Sequence, residues 1–309
     1  MNRDETGSGI ILDPVQHFDG ARRFFDHFRP PERPPDLEDL EQILSHFARL
    51  PYENLSKILK LSRDFSSPAK IRLPLEIIED HLQYHLGGTC FSLTFFLHTI
   101  LLYRGYHPYP VIADMRNRPR THCALIVVLQ QRRYLVDPGY LLTRPMRIDP
   151  DRPRLYRSPA AGVELRFNPD DERYHLYTFN RQEIKWRYSF VDRPVSSAEF
   201  LGCWHDSFFQ GGMHGLCLTR VEQKGLVYLH NNYLRVTTPG GVSKKRLRRV
   251  EDAVEDLFGI SPEWVERAKA AIPANMARER EHGLGGFGAA AAGHPGLKDR
   301  KKQQDSGGI

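Results

Sequence analysis

Apolar positions along the chain follow a helical period in the first third and a shorter period after it. Leu37, Leu40, Ile43, Leu44, Phe47 and Leu50 recur at helical spacing. Asp36 stands where a capping carboxylate belongs, and Pro51 closes the run. The proline-rich stretch 30–35 leads into this helix, and the first nine residues read as a loose end. A second helix is expected from Pro74, with Leu75, Ile78 and Leu82 on one side. Residues 91–103 are apolar on nearly every side, the pattern of a helix buried all round, and Gly105 supplies a left-handed stop.

Beyond residue 105 the pattern becomes that of strands, expected at 111–113, 122–129 and 133–136, the last two joined by a tight turn. Ile184, Trp186, Tyr188 and Phe190 alternate along a half-buried strand at 183–190, and further strands are expected at 216–221, 226–230 and 233–236. The Pro-, Arg- and Asp-rich stretch 149–171 reads as a surface excursion. Two helices close the pattern. One is capped by Ser243, carries Leu247, Val250, Val254 and Leu257, and stops at Gly259; the other opens at Ser261 and ends at Pro273. Residues 281–309 are rich in Gly and Ala with a charged end, and disorder is expected there, so that truncation after Ala277 should leave activity unchanged. The chain is therefore expected to be α+β, with a helical domain at 1–104, a strand-rich domain at 105–195, a closing domain at 196–280 and a tail at 281–309.

Composition narrows the class. With 40% apolar and 27% charged residues over 309 positions, bulk disorder is excluded. No stretch approaches the ~20 apolar residues of a membrane span. The start Met1-Asn2-Arg3-Asp4-Glu5 lacks an apolar leader core, which makes a cytoplasmic protein the expectation. The formal charge is +6, and six basic against four acidic residues from Arg278 onward account for +2 of it. The densest basic run, Lys244–Arg249, is followed by Glu251, Asp252, Glu255 and Asp256. It reads as the solvated face of an amphipathic helix rather than a nucleic-acid stripe. Four cysteines without a Cys-x-x-Cys pair suit a reducing compartment and no structural metal.

Three residues could carry chemistry together. Cys90 opens the 91–103 helix, where unpaired amides and the macrodipole favour a thiolate, and Gly87-Gly88 before it permits a close backbone turn. If the turn between strands holds Leu129 and Gln130, His122 directly opposes Asp137, with Cβ atoms about 5 Å apart. That is the logic of a nucleophile, its base and a group orienting the base. A structural reading stays open beside it: Cys90 as a small apolar filler and Asp137 as a turn residue before Pro138-Gly139. Trp204-His205-Asp206 and Gly211–His214 have no second group to pair with and read as structural.

Four ordered segments carry a resemblance: Pro51-Tyr52-Glu53-Asn54-Leu55, Gly87-Gly88-Thr89-Cys90-Phe91, Thr121-His122-Cys123-Ala124-Leu125 and Tyr134–Tyr140. They resemble the arylamine N-acetyltransferase family, most strongly over 37–142 and more weakly to about 270. The family pattern is Pro-Phe-Glu-Asn-Leu, Arg-Gly-Gly-x-Cys-x-Glu-x-Asn, Thr-His and Asp-Val-Gly-Phe-Gly. The resemblance implies a helical bundle, a β-barrel-like domain and an α/β lid around a cysteine-protease-like Cys-His-Asp core. It implies xenobiotic-type chemistry: ping-pong transfer of an acetyl group from acetyl-CoA, a co-substrate rather than a permanently bound cofactor, through an acyl-Cys90 to an arylamine, hydrazine or arylhydroxylamine. His122 would carry the proton and Asp137 would hold the imidazole. Phe91 and Tyr140 become candidates for the acceptor pocket, with core packing as the alternative, and Arg193–Ser197 resembles a stretch near the expected CoA position. Neither nucleic acid nor membrane is an expected partner, and no metal is expected.

The chain also departs from the pattern. Leu86 stands in the place of Arg, Ser92 and Leu93 stand near the Glu and Asn positions, and Pro138, Tyr140 and Leu141 replace Val, Phe and the final Gly. Losing Arg and Glu together fits a pair that neutralise each other, since a lone survivor would be a buried unpaired charge. These changes flank the nucleophile and keep other readings in play: an amide synthase using another acyl thioester, a transglutaminase-like cysteine hydrolase, or a non-catalytic ligand-binding relative.

Overall fold

The computed structural model describes residues 12–157, 162–179, 183–222 and 225–284. The expected loose N-terminal end, and the expected tail from residue 285 on, lie outside the described residues. Helices α1 (Phe18–Phe28), α2 (Leu37–Phe47), α3 (Leu55–Arg63), α4 (Pro74–Tyr84) and α5 (Cys90–Tyr103) come first, with the short strand β1 (Tyr52–Glu53) between α2 and α3. Strands β2 (His107–Met115), β3 (Arg118–Leu129), β4 (Arg132–Val136), β5 (Met146–Arg147), β6 (Arg154–Arg157), β7 (Gly162–Asn168), β8 (Arg173–Phe179) and β9 (Ile184–Phe190) follow. Helix α6 (Ser197–Asp206) precedes β10 (Cys217–Glu222), β11 (Gly225–His230), β12 (Tyr233–Thr238) and β13 (Gly241–Arg246), and α7 (Val250–Phe258) and α8 (Pro262–Glu281) close the order.

Helix α5 is the axis of the molecule because its apolar residues cover every side. Leu93, Phe96, Leu97, Ile100 and Leu101 pack with Phe24, Ile43, Phe47 and Ile78 of the other helices. Phe91 and Phe95 turn the other way, toward Trp204, Leu218, Leu229 and Leu234. Asp36 caps α2 by accepting from Asp39 N at 2.7 Å. The buried Asp39 carboxylate in turn takes Arg104 Nη2 at 2.7 Å and the Tyr106 hydroxyl at 2.9 Å, fastening α2 to the end of α5.

Eight antiparallel strands form one sheet in the order β5-β4-β3-β2-β9-β8-β7-β6, and its two edges, β5 and β6, approach each other. The result is a nearly closed barrel around Val111, Ile126, Leu135, Leu176, Tyr188 and Phe190. The second sheet has the order β1-β10-β11-β12-β13 and lays Leu218, Val227, Leu229 and Leu234 against α5 and α6. This is the helical bundle, barrel and α/β arrangement that the resemblance implies. Among the described residues no helix is long and apolar enough to cross a membrane.

Four local expectations change. The β3–β4 turn holds Gln130 and Gln131, both at positive φ (49° and 61°), so Leu129 faces Arg132 and Leu125 faces Val136. The register is displaced by two residues from the one that opposes His122 to Asp137. The stretch 149–171 is not all surface: β6 and β7 complete the barrel, with Val163 and Leu165 inside, while Arg166 Nε and Nη2 each donate to Glu164 at 2.6 Å. That charged pair is what hides a strand in the sequence.

Ser243 caps no helix. It lies in β13, whose lysines occupy the exposed edge of the second sheet, a usual device against edge-to-edge pairing. Finally, Pro273 sits inside α8, which continues to Glu281 because its last turns are anchored. Asn275 Nδ2 donates to Ile58 O at 3.0 Å, Arg278 Nη1 donates to Ser62 O at 2.8 Å, and Glu279, 1% exposed, pairs with His214 Nε2 at 2.7 Å. Truncation after Ala277 removes two of these ties. It should lower the melting temperature by about 3 °C or more in a thermal scan, at roughly 2–4 °C per kcal/mol lost.

Candidate active site

The approach to α5 is built by close backbone packing. Tyr52 bridges Gly88 in parallel, Glu53 N donates to Gly88 O at 2.9 Å and Gly88 N donates to Pro51 O at 3.3 Å. A Cβ at position 87 would stand 1.8 Å from Pro51 O, so only glycine fits there, and one at 88 would stand 2.4 Å from Ser92 Oγ and displace that hydroxyl. Ser92 Oγ accepts from Thr89 N at 3.1 Å and donates to Thr89 O at 3.0 Å, tightening the first turn. Cys90 is thereby fixed as the first residue of α5 and is 8% exposed.

Beneath this turn lies a buried ion cluster. Glu53 is fully buried and accepts from Ser56 N at 3.0 Å and Ser56 Oγ at 2.6 Å. Arg72 lies 3.5 Å from the Glu53 carboxylate, donates to Gly87 O at 2.6 Å, and reaches Asp80 at 2.6 Å. Leu86, in the place of the family arginine, is buried and apolar. The cation that holds the double-glycine turn therefore comes from Arg72, which no local motif marks.

His122 and Asp137 meet although their ladder register is not the expected one. Asp137 lies just beyond β4, diagonal to His122 on the same face of the pleat, and caps the 3₁₀ turn Pro138–Tyr140. His122 Nε2 and Asp137 Oδ2 are 2.8 Å apart. The carboxylate has no exposure and also accepts from the Tyr188 hydroxyl at 2.6 Å and from Tyr140 N at 3.1 Å. The rings of Tyr188 and Tyr140 sit 4.6 and 5.2 Å from the imidazole. With Nε2 engaged by Asp137, Nδ1 is the nitrogen left for Cys90. A Cβ at Gly139 would stand 2.8 Å from His122 Cε1 and 2.9 Å from Cys90 Cβ, so cysteine, histidine and the Asp137 turn converge on one glycine.

The electrostatics separate the charges. Burial alone would lower the His122 pKa, but the charge and hydrogen bond of Asp137, with those of Cys90, raise it to about 10. The Cys90 thiol is held well below its usual range, first by hydrogen bonding from Cys123, then, against burial, by His122 and the charge of Lys57. Burial and the neighbouring Cys90 push Cys123 the other way, so it remains a thiol. Lys57 is buried, donates to Ser207 O at 2.9 Å and Ser207 Oγ at 2.6 Å, and lies 4.6 Å from the Phe208 ring centroid. Among the described residues no carboxylate pairs with it, and burial lowers its pKa to about 8.

Of the residues singled out in sequence, Cys90, His122 and Asp137 come together and Tyr140 borders them. Phe91 is fully buried and packs edge-on against Phe200 at 5.3 Å, a core position. Ser196 caps α6, accepting from Glu199 N at 3.1 Å, which accounts for the Arg193–Ser197 stretch as turn chemistry. Arg72, Tyr188, Lys57, Cys123 and Gly139 were not anticipated as parts of the site. Cys123 and Gly139 lie inside the segments that carry the resemblance and Tyr188 on the apolar side of a predicted strand, whereas Arg72 and Lys57 carried no signal.

Residues 36–264 match a family model described as N-acetyltransferase. No curated protein matches the sequence. Among solved structures the chain is similar to the arylamine N-acetyltransferase of Mycobacterium abscessus (18% identity, TM-score 0.69, covering 84% of this chain and 98% of that one). It is also similar to that of Mycobacterium marinum (22% identity, TM-score 0.68, 82% and 98% covered). A third, from Bacillus cereus, is described as having a unique Cys-His-Glu catalytic triad (19% identity, TM-score 0.64, 79% and 99% covered).

The lowered Cys90 and raised His122 pKa values favour a thiolate–imidazolium pair that survives below neutrality. Iodoacetamide at pH 6, where an ordinary thiol of pKa about 8.5 is under ~1% ionised, should label Cys90 well ahead of Cys123, Cys203 and Cys217, as read by peptide mass mapping. Equal slow labelling of all four would contradict the charge separation. Tyr188→Phe removes one of three donors to a buried carboxylate and should cost about 1–3 kcal/mol in urea denaturation.

Proposed function

The chain belongs to the arylamine N-acetyltransferase family, and from that premise we propose that it moves an acetyl group from acetyl-CoA to an aromatic amine, hydrazine or arylhydroxylamine through an acyl-cysteine on Cys90. The observation that carries this reading is the 2.8 Å His122–Asp137 contact beside a cysteine fixed at a helix start. In this reading residues 1–104 present the nucleophile, 105–195 present the base and its carboxylate, and 196–280 form the lid, in a cytoplasmic enzyme. The third member of the triad is Asp137, not the glutamate named for the Bacillus cereus protein.

The Cys90 thiolate attacks the thioester carbonyl, forming a C–S bond and an oxyanion at the N-terminal end of α5, where unpaired amides and the macrodipole favour negative charge. Collapse breaks the C–S bond to CoA, and His122 gives its Nδ1 proton to the leaving thiolate. Acetyl-Cys90 and a neutral imidazole remain. The amine then attacks the acetyl carbonyl while Nδ1 takes the proton from its nitrogen. Collapse releases the amide and restores the Cys90 thiolate beside an imidazolium. Asp137 is held by the Tyr188 hydroxyl and the Tyr140 amide, and its bond to Nε2 keeps Nδ1 facing Cys90. Tyr140, half-buried against the imidazole, borders the space the acceptor would take.

Intact mass after adding acetyl-CoA without amine is the test. A gain of about 42 Da on the wild type, absent from Cys90→Ser, is the expected outcome for nucleophilic catalysis. An equal gain on both proteins, or none on folded wild type, would overturn the assignment.

A further inference from the structure

We propose that Cys123 is a resolving cysteine for Cys90: a peroxide oxidises Cys90, and the two sulfurs close into a reversible disulfide that takes the nucleophile out of use. This goes beyond the acyl-transfer reading, because it requires the reactive sulfur and its neighbour but no acyl donor.

The pair is set by the way α5 lies along β3. Cys90 Sγ stands 3.8 Å from Thr121 O, and one helical turn on, Thr94 Oγ1 donates to Cys123 O at 3.4 Å. Alternation along β3 sends Ala124 and Ile126 into the barrel and Leu125 and Val127 out toward the helices. Cys123 shares the outward face. It is fully buried in the same apolar cluster as Cys90, Phe91 and Phe95, and its thiol hydrogen-bonds the Cys90 sulfur. The other two cysteines are held elsewhere. Arg120 Nη2 donates to the Cys203 sulfur on α6 at 3.0 Å, and burial keeps that residue a thiol. Cys217 opens β10, and burial raises its pKa to about 11.

A thiolate is the form of cysteine that peroxides oxidise. The Cys90 sulfur attacks one oxygen of hydrogen peroxide, the O–O bond breaks, and the departing hydroxide takes the His122 proton and leaves as water. Cys90 is then a sulfenic acid and carries no charge. That change acts on Cys123, whose thiol is held protonated by burial and by the hydrogen bond and charge of the Cys90 thiolate. With that charge gone, and the Lys57 cation still felt at both positions, Cys123 ionises more readily and attacks the Cys90 sulfur. The S–O bond breaks, and the hydroxide leaves as water with the proton that Cys123 gives up. Each sulfur loses one electron and the two peroxide oxygens gain them, so two thiols and one peroxide become a disulfide and two waters.

The same charges make the bond easy to reverse. His122 and Lys57 favour the Cys90 thiolate that reduction restores, and a disulfide with a stabilised leaving thiolate is the more readily reduced. A thiol such as glutathione therefore reopens it, the behaviour of a sensing rather than a structural disulfide. Without Cys123 the sulfenic acid has no partner in reach, and further peroxide carries it to the irreversible sulfinic acid.

The test uses the full chain and Cys123→Ser, which keeps a donor beside Cys90 but cannot form the bond. After excess hydrogen peroxide, peptide mapping of the wild type without reductant should show the Cys90 and Cys123 peptides joined, about 2 Da below their sum. Millimolar glutathione should then restore the rapid labelling of Cys90 by iodoacetamide at pH 6. In Cys123→Ser the same treatment should leave Cys90 about 32 Da heavier, and the labelling recovered should fall roughly tenfold below the wild type. Wild type in which Cys90 gains 32 Da without a joined peptide, or joins Cys203 or Cys217, would overturn the proposal. So would equal recovery in both proteins. If Cys123→Ser does not fold, the wild-type map decides alone. Neither readout uses acetyl-CoA, so a failure of acetylation would count against the functional reading and leave the disulfide to be decided here.

Discussion

A fully buried carboxylate is the constraint around which this molecule is arranged. Asp137 has no exposure, and an ionised group in that position is tolerable only if its lone pairs are filled. They are filled from different parts of the chain: by His122 from β3, by Tyr188 from β9, and by the backbone of its own 3₁₀ turn. β9 pairs with β2, which pairs with β3, so the Tyr188 hydroxyl reaches Asp137 only when β9 joins the sheet in its observed register. The pairing of β9 and the support of the carboxylate that orients the imidazole are thus linked. The aromatic rings that pack the imidazole exclude water from the same spot, which strengthens each bond made there.

A second buried ion cluster holds the opposite wall. Glu53, Arg72 and Asp80 lie under the double glycine, and Arg72 spends one nitrogen on Gly87 O. The cation beneath the turn is Arg72, which sits beside the glutamate of the Pro-Tyr-Glu-Asn segment. Ser92 uses its hydroxyl to finish the helix cap, a role that needs no counter-charge. In this chain, where Leu86 and Ser92 depart from the family pattern, the charge beside Glu53 comes from Arg72 and the capping of α5 from Ser92. Lys57 adds a buried positive charge that no carboxylate pairs with among the described residues, and a thiolate at Cys90 is the anion that would offset it.

Most of the fold was legible because its signals are local. The uniform apolar run of α5, the alternation in β9 and the cap at Asp36 each depend on a few adjacent residues, and each is present. The misreadings were of non-local origin. Glu164 and Arg166 give β7 a polar composition, yet they neutralise each other across one face while Val163 and Leu165 fill the barrel. Pro273 should end a helix by its own chemistry, but the turns beyond it are tied to α3 and hold the helix together. The cysteine, histidine and aspartate were legible as a group from ordered motifs, even with the register misjudged. A displacement of two residues keeps a side chain on the same face, and an aspartate past the strand's end can still lean to its partner. Arg72, Lys57 and Tyr188 join the site through tertiary contacts, which no spacing rule encodes.

Strand β1 has a consequence for the order in which the protein can be assembled. Tyr52 and Glu53 belong to a sheet whose remaining strands come from residues 217–246, and the same two residues pin the Gly87-Gly88 turn that aims Cys90. Closing that loop carries a long-range entropic cost repaid only when β10 is present. The cysteine, histidine and aspartate precede residue 140, yet the sheet that holds the backbone aiming the thiol is complete only once residues 217–246 are in place. The geometry of the reactive centre is thereby tied to a segment far along the chain from every residue of the triad.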